Sequence, residues 1–176
     1  MIGARPRYGR GVSLTPLPTA DQVRSLPAFF DETVSPDAID ENGHMNISYY
    51  FRYGSWAPWK LLGEIGMADD YIEARGLSFF TVEHSLRYLG ELRLDEPYSV
   101  HAAFVGRTSK AAHAVSFVLD RARDKVVCVL EVMYVHVSME TRRACDIPDD
   151  LTTALDAEIA SHPWATQVAT SLSLRR

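Results

Sequence analysis

The sequence is poor in cysteine, with two thiols, Cys128 and Cys145, among 176 residues. Two thiols are too few for a disulfide framework or a cysteine-based zinc site, so we expect a reducing compartment and no resident metal. The sequence also lacks a run of about 20 apolar residues, the length that a helix needs to cross a bilayer. These two absences predict a cytoplasmic protein without a membrane partner.

Positive charge is scarce as well. Lys and Arg total 18 against 23 Asp and Glu, which gives a formal net charge of -5 and argues against nucleic acid as the main partner. The apolar share of 47% is typical of a globular chain, and the length fits one domain. We expect residues 1–27, which contain several Arg and Pro, to form a loosely held arm. An organellar presequence is an alternative interpretation of that arm. Residues 28–176 would form the domain.

Apolar spacing predicts one strand followed by one long helix. Residues 28–34 are rich in β-formers, and the apolar residues from Ile47 to Ile65 recur every three or four positions, as on one face of a helix. Asn46 is a suitable N-cap for that helix, and Pro58 predicts a kink inside it. A shorter helix is expected over residues 68–75.

The rest of the sequence predicts four long strands and a final helix. Turn-forming residues separate the strands, and such short connections favour antiparallel neighbours. The sequence therefore predicts an α+β fold, a curved five-stranded antiparallel sheet around one long helix. Gly54 and Ala57 would lie against the concave face. The expected strands cover residues 77–89, 98–107, 111–120 and 126–138, and the final helix covers residues 149–160.

One helix cannot cover both faces of such a sheet. Apolar side chains on the outer face, or an unpaired edge strand, would favour association with other chains. We therefore expect a homodimer or a homotetramer.

The densest polar cluster, residues 40–46, immediately precedes the long helix. The N-terminus of a helix carries backbone N–H groups and a partial positive charge that favour a carbonyl oxygen or an oxyanion. A carboxylate, an imidazole and an amide in this position could therefore perform acyl chemistry. The alternative is purely structural: Asn46 caps the helix, Asn42 and Gly43 form a turn, and Asp40 stabilises the helix dipole.

The pattern Asp40-x-x-Gly43-His44-x-Asn46-x-x-x-Tyr50 resembles the motif of the hotdog-fold acyl-CoA thioesterases of the 4-hydroxybenzoyl-CoA thioesterase type. That family usually reads D-x-x-G-H-x-N-N-x-x-Y, so Ile47 stands here in place of the second Asn. The resemblance extends over roughly residues 29–151. It implies the hotdog fold and the hydrolysis of a small or medium acyl-CoA, with coenzyme A as part of the substrate and no further cofactor.

The resemblance also implies roles for the polar cluster. Asp40 would be the catalytic carboxylate, either as a nucleophile that forms a mixed anhydride or as a general base for water. His44 and Asn46 would orient the thioester or the water, and the amides at the helix start would form the oxyanion site. For His44 the alternative is a loop histidine that bonds to the backbone.

Tyr50 and Glu83 are candidate substrate contacts. Glu83 lies inside a predicted strand, where an unpaired carboxylate is costly, and some hotdog thioesterases use a glutamate. A cross-strand ion pair with Arg87, two residues further on the same face, is the alternative for Glu83. The remaining strand histidines lack metal-ligand spacing and are interpreted as ordinary sheet residues: His84, His101, His113 and His136.

Coenzyme A requires cationic contacts for its phosphates. The predicted hairpin with Arg107, Ser109 and Lys110 resembles the nucleotide-contacting stretch of the family, and a solvated hairpin tip is the alternative. An aromatic acyl group or a quaternary ammonium would suit an acyl pocket built from aromatic residues. Residues 80–83 add a looser resemblance to thioesterases associated with carnitine and betaine breakdown. The candidate aromatic residues, most of which are expected in the core, are Tyr49, Tyr50, Trp56, Trp59, Phe79 and Phe80.

The leading hypothesis is therefore an acyl-CoA thioesterase with Asp40 at its centre. A noncatalytic acyl-CoA binding or sensing module on the same fold is the alternative. A hotdog dehydratase or hydratase is a third possibility, but those enzymes usually carry proline where Gly43 stands.

Overall fold

The structure, a computed structural model, describes residues 17–174. Besides single 3-10 turns at Pro36–Ala38 and Ala165–Gln167, the elements in chain order are α1 (Ala20–Arg24), β1 (Ala28–Thr33), α2 (Ile47–Glu64), α3 (Tyr71–Arg75), β2 (Leu77–Tyr88), β3 (Pro97–Arg107), β4 (Ala111–Asp120), β5 (Lys125–Ser138) and α4 (Asp149–Ser161).

The five strands form one sheet in the order β1-β3-β4-β5-β2, and every pair of neighbours is antiparallel. The predicted α+β hotdog architecture is confirmed. β1 and β2 are the edge strands, whereas β5 is an interior strand that is buried along most of its length on both faces. The register of β2 against β5 shifts between Thr81 and Glu83, which leaves Val82 exposed at a bulge in the edge strand.

Helix α2 lies on the concave face of the sheet. A Cβ atom at Gly54 would lie 3.1 Å from Leu130 on β5, so glycine allows the helix to approach the sheet closely. Ser116 on β4 donates a hydrogen bond of 2.6 Å to the carbonyl oxygen of Gly54. Leu61 and Leu62 are fully buried, and each side chain contributes about 2 kcal/mol by leaving water. Pro58 is accommodated inside the continuous helix.

The outer face of the sheet is covered by the chain itself. Val23 of α1 and Leu26 pack into a second apolar cluster with strand residues such as Phe117 and Val129, and with Val168 near the C-terminus. Residues on both sides of the domain thus fold over this face, whereas the expected association with other chains stays a prediction. The predicted loose arm needs correction, since residues 20–24 form a helix; residues 1–16 lie outside the described residues.

Residues 169–174, here called the C-terminal strap, continue this cover across the sheet. The carbonyl oxygen of Ala169 accepts a hydrogen bond from Arg87 on β2, at 2.8 Å. The amides of Ser171 and Leu172 donate to the buried carboxylate of Glu131 on β5, each at 2.9 Å. Leu174 reaches β3, where a Cβ atom at Gly106 would lie 3.1 Å from its side chain. The strap therefore crosses from one edge of the sheet to its interior strands.

Within the described residues, no helix is both long enough and apolar enough to cross a membrane.

Candidate active site

The loop before α2 is closed by its own hydrogen bonds. The Asp40 amide donates to the carbonyl oxygen of His44 at 3.1 Å, and the Gly43 amide donates to that of Asp40 at 3.0 Å. Gly43 adopts a φ angle of +78°, in the left-handed region that glycine enters without a steric penalty. The predicted turn is therefore real, and it places Asp40 beside the first turn of α2.

The carboxylate of Asp40 is half-buried and held on both oxygens. Oδ1 accepts the Asn42 amide at 2.8 Å, and Oδ2 lies 3.4 Å from Nδ2 of Asn46. These contacts fix the direction of the carboxylate without neutralising it, because both partners are uncharged amides. Three of the residues that the motif predicts, Asp40, His44 and Asn46, lie within one short loop.

Asn46 performs two tasks with the two ends of its side-chain amide. Its Oδ1 accepts the Ser48 amide at 2.9 Å and the Ser48 hydroxyl at 2.6 Å, which caps α2 as predicted. Its Nδ2 faces Asp40. The Ser48 amide is thus occupied by the cap, and the amide of Ile47, the first residue of α2, remains the candidate donor for an oxyanion.

His44 is half-buried at the rim of a cleft of about 480 Å³ that also contacts Tyr50, Tyr88 and Glu91. Its Nδ1 lies 3.4 Å from the carbonyl oxygen of Met45. This long contact matches the predicted alternative of a loop histidine near backbone. It leaves the ring at the cleft next to Asp40.

Tyr50 acts inside the protein, where it holds the Asp40 loop. Its ring is 3% exposed, and its hydroxyl accepts the Leu92 amide at 2.9 Å. The carbonyl oxygen of Leu92 in turn accepts the Met45 amide at 2.7 Å. Burial raises the pKa of Tyr50 to about 12, so the phenol is neutral. The predicted contact of Tyr50 with substrate stays a prediction, and sequence reasoning missed its bond with Leu92, because no motif signals which backbone amide a buried phenol will meet.

Glu83 lies away from this loop. It is exposed on β2, opposite Met133 of β5, and in strand alternation it shares a face with Ser85 and Arg87, which contact the C-terminal strap. That is the outer face of the sheet, whereas the Asp40 loop borders the helix side. The alternative ion pair with Arg87 is absent among the described residues, since Arg87 donates to Ala169 instead.

The hairpin between β3 and β4 borders a second cleft, of about 640 Å³, that contacts Arg107, Ser109 and Lys110. The guanidinium of Arg107 makes a two-point ion pair with Asp156, and the distance from Nε to Oδ1 is 2.7 Å. This ion pair raises the pKa of Arg107 above its ordinary value. The Lys110 ammonium is half exposed and lies 4.0 Å from Asp146. Lys110 is therefore the more available cation at this hairpin.

This hairpin and the Asp40 loop lie at opposite ends of the sheet. The loop contacts residues just before β3, because the Met45 amide donates to Leu92 and the Val34 amide donates to Glu96. The hairpin follows the end of β3, which has 11 residues. At roughly 3.3 Å per residue, the two regions of one chain are separated by about 33 Å.

A third cleft, here called the aromatic pocket, lies between α2 and β2. It measures about 540 Å³ and no acidic side chain contacts it. Nε2 of His84 is buried without a hydrogen-bond partner, and burial lowers the pKa of this imidazole. Sequence reasoning treated His84 as an ordinary sheet residue, since only the fold brings it to the helix. The residues that line the aromatic pocket are Ser55, Trp56, Thr81, His84, Tyr134 and Trp59.

Neither cysteine is a candidate nucleophile. Cys128 is fully buried in the core, and burial raises its pKa to about 12. Burial also raises the pKa of Cys145, whose Sγ lies 3.4 Å from Nδ1 of His136. Among residues 17–174, no group of three or more His, Cys, Asp or Glu side chains could hold a metal ion. The carboxylate of Asp40 is thus the group in this loop that is suited to covalent or base catalysis.

The chain is similar to proteins that are named as thioesterases. The Pseudomonas aeruginosa protein named betainyl-CoA thioesterase is 25% identical over 133 residues, which cover 76% of this chain and 84% of that protein. The Agrobacterium fabrum protein named L-carnitine dehydrogenase/betainyl-CoA thioesterase is 31% identical over 118 residues, or 67% of this chain and 24% of that protein. The chain thus spans about a quarter of the length of that two-function relative.

Solved structures share the fold. A Staphylococcus aureus protein in complex with CoA superposes with a TM-score of 0.74 at 22% identity, over 85% of this chain and 97% of that chain. The 1,4-dihydroxy-2-naphthoyl-CoA thioesterase from Synechocystis superposes with a TM-score of 0.64 at 12% identity, over 72% of this chain and 93% of that chain. Residues 34–155 match the family described as the Thioesterase-like superfamily. The chain belongs to this superfamily, and it is an acyl-CoA thioesterase with the hotdog fold.

Proposed function

We propose that the protein hydrolyses a small acyl-CoA thioester to a free acid and coenzyme A, with Asp40 as the catalytic carboxylate. The observation that carries this proposal is the Asp40 loop: a half-buried carboxylate oriented by two amides beside the start of α2. A carboxylate can act either as a nucleophile or as a base, so both roles are open to Asp40.

Both chemical routes use the same carboxylate. As a nucleophile, an Asp40 oxygen bonds to the thioester carbon, the C–S bond breaks, and coenzyme A leaves as a thiolate that takes up a proton. Water then hydrolyses the mixed anhydride and restores the carboxylate. As a base, Asp40 takes a proton from water while the water oxygen bonds to the thioester carbon; the C–S bond then breaks, and the proton on Asp40 passes to the departing thiolate of coenzyme A. In either route we assign the amide of Ile47 to the developing oxyanion.

A hydrolysis screen tests the proposal. Release of free thiol from a panel of acyl-CoA thioesters is followed with a thiol reagent, for the wild-type protein and for Asp40→Asn. We expect kcat to fall about 1000-fold in the variant, because the isosteric amide neither attacks nor takes a proton. Glu41→Gln, which changes the exposed acid next in sequence, is the matched control and should retain activity.

Two outcomes would contradict the proposal. Wild-type rates from Asp40→Asn would remove Asp40 from the chemistry. Saturable binding of acyl-CoA without turnover by the wild-type chain would favour the noncatalytic binding module. The two routes are separated by turnover in heavy-oxygen water followed by mass spectrometry of the peptide that contains Asp40. Label in that carboxylate supports the anhydride route with attack of water on the Asp40 carbonyl carbon, whereas label in the product acid alone is compatible with both routes.

We also propose that the working unit is a homodimer joined through the β2 edge strands. β2 has 12 residues, its outer edge is unpaired among the described residues, and exposed Val82 and Tyr88 lie along it. Two identical edge strands pair antiparallel about a two-fold axis, so the start of one β2 meets the end of the other. This pairing brings the partner's hairpin end to the end of the sheet that carries Asp40.

The proposed dimer also accounts for the distance between Asp40 and the predicted coenzyme A contact, Lys110. Lys110 of the same chain lies about 33 Å from the Asp40 loop along the sheet, as the length of β3 indicates. In the proposed pair, the Lys110 hairpin of the other copy is at the nearer end, where the phosphates of a coenzyme A bound at Asp40 could reach it. Arg107 would then hold the hairpin through Asp156, and Lys110 would contact the phosphates.

For the acyl group, the relatives favour a small cationic one. Those named betainyl-CoA thioesterases are 25% to 31% identical to this chain. The betainyl group is a two-carbon acyl chain that ends in a trimethylammonium. We therefore propose a short acyl group of this type as the substrate class.

A further inference from the structure

Glu83 and Arg87 are opposite charges on the edge strand β2, and among residues 17–174 neither has a charged partner. The Glu83 side chain is exposed. The Arg87 guanidinium is half-buried: it donates to the carbonyl oxygen of Ala169 at 2.8 Å, and its Nε is buried without a hydrogen-bond partner. A guanidinium in such a position is costly unless a carboxylate reaches it from outside the chain. A second copy of this chain carries such a carboxylate, at Glu83.

The two charges share one face of the sheet. Glu83 lies opposite Met133 and Arg87 opposite Val129 on β5, with Ser85 midway between them and no bulge from 83 to 88. Val129 packs in the cluster on the outer face, so all three β2 side chains point to that side. Residues that lie opposite each other in an antiparallel pair point to the same face, so in a pair of identical β2 strands these three can meet only one another or other residues of that face.

A two-fold axis then leaves few registers, and charge distinguishes them. With the axis at Ser85, Glu83 of each copy lies opposite Arg87 of the other. With the axis at Glu83 or at Arg87, two like charges would lie directly opposite each other, which destabilises a strand pair. With the axis at His84 or Leu86, both charges would lie opposite uncharged side chains. The axis at Ser85 is therefore the one of these five that pairs both charges.

We propose that two copies of this chain pair their β2 strands about a two-fold axis at Ser85, with a Glu83–Arg87 ion pair on each side of the axis. This inference rests on the homodimer of the proposed function, and it adds the register and the contacts that hold the two copies together. Opposite charges directly across two strands stabilise their pairing. Because the arrangement is self-complementary, the two ion pairs form together or not at all.

The same register carries the interface to the candidate active site. It places Val82 of one copy opposite Tyr88 of the other, and these side chains are 57% and 47% exposed in the single chain. Two exposed apolar side chains thus cover each other. Tyr88 also borders the cleft at His44, so Val82 of the other copy becomes a neighbour of that cleft. This contact links formation of the dimer to the surroundings of the catalytic loop.

A charge exchange tests the ion pairs. In homodimers of Glu83→Lys two positive charges face each other on each side of the axis, and in homodimers of Arg87→Glu two negative charges do. In a mixed dimer with one chain of each kind, both positions hold opposite charges. By analytical ultracentrifugation we expect the dissociation constant of each variant alone to rise about tenfold or more, and an equimolar mixture to recover the dimer.

Glu32→Lys is the matched control, because it changes the same charge at an exposed position of the other edge strand, β1. Its mixture with Arg87→Glu should not recover the dimer. A mixture of Glu83→Lys and Arg87→Glu that stays as dissociated as the separate variants would overturn the ion pairs, and so would a variant that dimerises alone as tightly as the wild type.

A cysteine pair tests the axis without touching Arg87, which also holds the C-terminal strap. With the axis at Ser85, the two copies of that residue lie about 5 Å apart between Cα atoms, within the reach of a disulfide. The two copies of Glu83 are then offset by four residues, or about 13 Å. Both Ser85→Cys and Glu83→Cys are made with Cys145→Ser, since the other native thiol, Cys128, is fully buried.

We expect mild oxidation to link Ser85→Cys chains into covalent dimers and to leave Glu83→Cys chains unlinked. A link at Glu83→Cys, or dimers of Ser85→Cys that do not link, would overturn the register. A wild-type chain that is monomeric would instead remove the proposed homodimer, whereas hydrolysis of acyl-CoA, measured on the same samples, tests the thioesterase function separately.

Discussion

The β2 edge and the outer face belong to the same sheet, yet the chain treats them differently. Across the outer face it folds α1, the turn at Ala165–Gln167 and the C-terminal strap, which bury apolar and charged groups alike. Along β2 and the adjoining side of α2 it leaves Val82, Trp56 and Trp59 exposed. The outer face is closed within one chain, whereas the edge is left open.

This difference separates stability from function. Glu131, 1% exposed, is tolerated on the outer face because the strap amides and Ser171 saturate its oxygens. Trp56 and Trp59 on α2 have no such cover, and exposed aromatic rings of this kind mark an interaction site. We therefore expect changes at the edge to reduce activity at nearly constant stability, and changes under the strap to reduce stability at nearly constant activity.

Among changes at the edge and on the outer face, the largest effect should come from preventing the β2 edge strands from pairing. Val82→Asp places an extra carboxylate in each β2 strand, next to Glu83, so two copies repel each other along the shared edge. We expect a monomer by analytical ultracentrifugation and a loss in kcat/KM of about 100-fold or more, since the site loses the partner's groups. Val82 is 57% exposed, so the midpoint of thermal unfolding of the monomer itself should change little.

Thr33→Asp is the control for this variant, because it adds the same charge to the other edge strand, β1, at an exposed position. It should leave the mass and the turnover unchanged. A monomeric Val82→Asp protein with full activity would contradict the functional role of the β2 edge, since the active site would then be complete within one chain.

The next effect is on stability. Glu131→Gln replaces a buried carboxylate that accepts three backbone contacts with an amide that has one accepting oxygen. Hydrogen bonds to a charged group contribute about 1.5 to 3 kcal/mol each, and the amide keeps one accepting oxygen, so we expect a loss of about 2 kcal/mol in the free energy of unfolding. Urea titration measures it, and Glu32→Gln at an exposed strand position is the control. A large fall in kcat at unchanged stability would contradict the assignment of this face to stability.

The same carboxylate should make stability depend on pH. Burial raises the pKa of Glu131, but the bonds from His113, Leu172 and Ser171 outweigh burial and hold it below its ordinary value of 4.5. A carboxyl group with a lowered pKa in the folded state stabilises the fold above its unfolded pKa and loses that contribution as pH falls through the folded value. We expect wild-type stability to fall below about pH 4.5, and less steeply in Glu131→Gln. Parallel slopes for the two proteins would exclude Glu131 as the source.

Most features of α2 and of the loop before it could be predicted from the sequence. The 3.6-residue period of α2, the turn at Asn42 and Gly43, and the cap at Asn46 are local signals, and each is found in the structure. The Asp40 motif identified the loop because its residues lie within a few positions of one another.

The outer face could not be predicted in this way. Glu131 and Ser171 are 40 residues apart and meet only after the sheet has formed. Helix α1 has five residues, too few to show a helical period of apolar residues. Its buried Val23 lies in the segment that the sequence predicted to be a loosely held arm. Arg107 illustrates the same limit, because its ion pair with Asp156 links two elements that are 49 residues apart.

The smallest predicted effects distinguish the two cations of the hairpin. Lys110→Gln removes the more available charge, so KM for acyl-CoA should rise several-fold while kcat stays constant, because the phosphates are far from the reacting bond. Arg107→Gln removes the ion pair with Asp156, whose carboxylate is more than half exposed. Such a pair contributes about 1 kcal/mol or less, so the free energy of unfolding should fall only slightly. Raising the salt concentration should increase the wild-type KM and narrow its difference from Lys110→Gln, since screening weakens phosphate contacts. If Arg107→Gln instead raises KM more than Lys110→Gln, the Arg107 guanidinium must leave Asp156 to bind the nucleotide. Both cations of the hairpin would then serve substrate binding, as the β2 edge does in the proposed dimer.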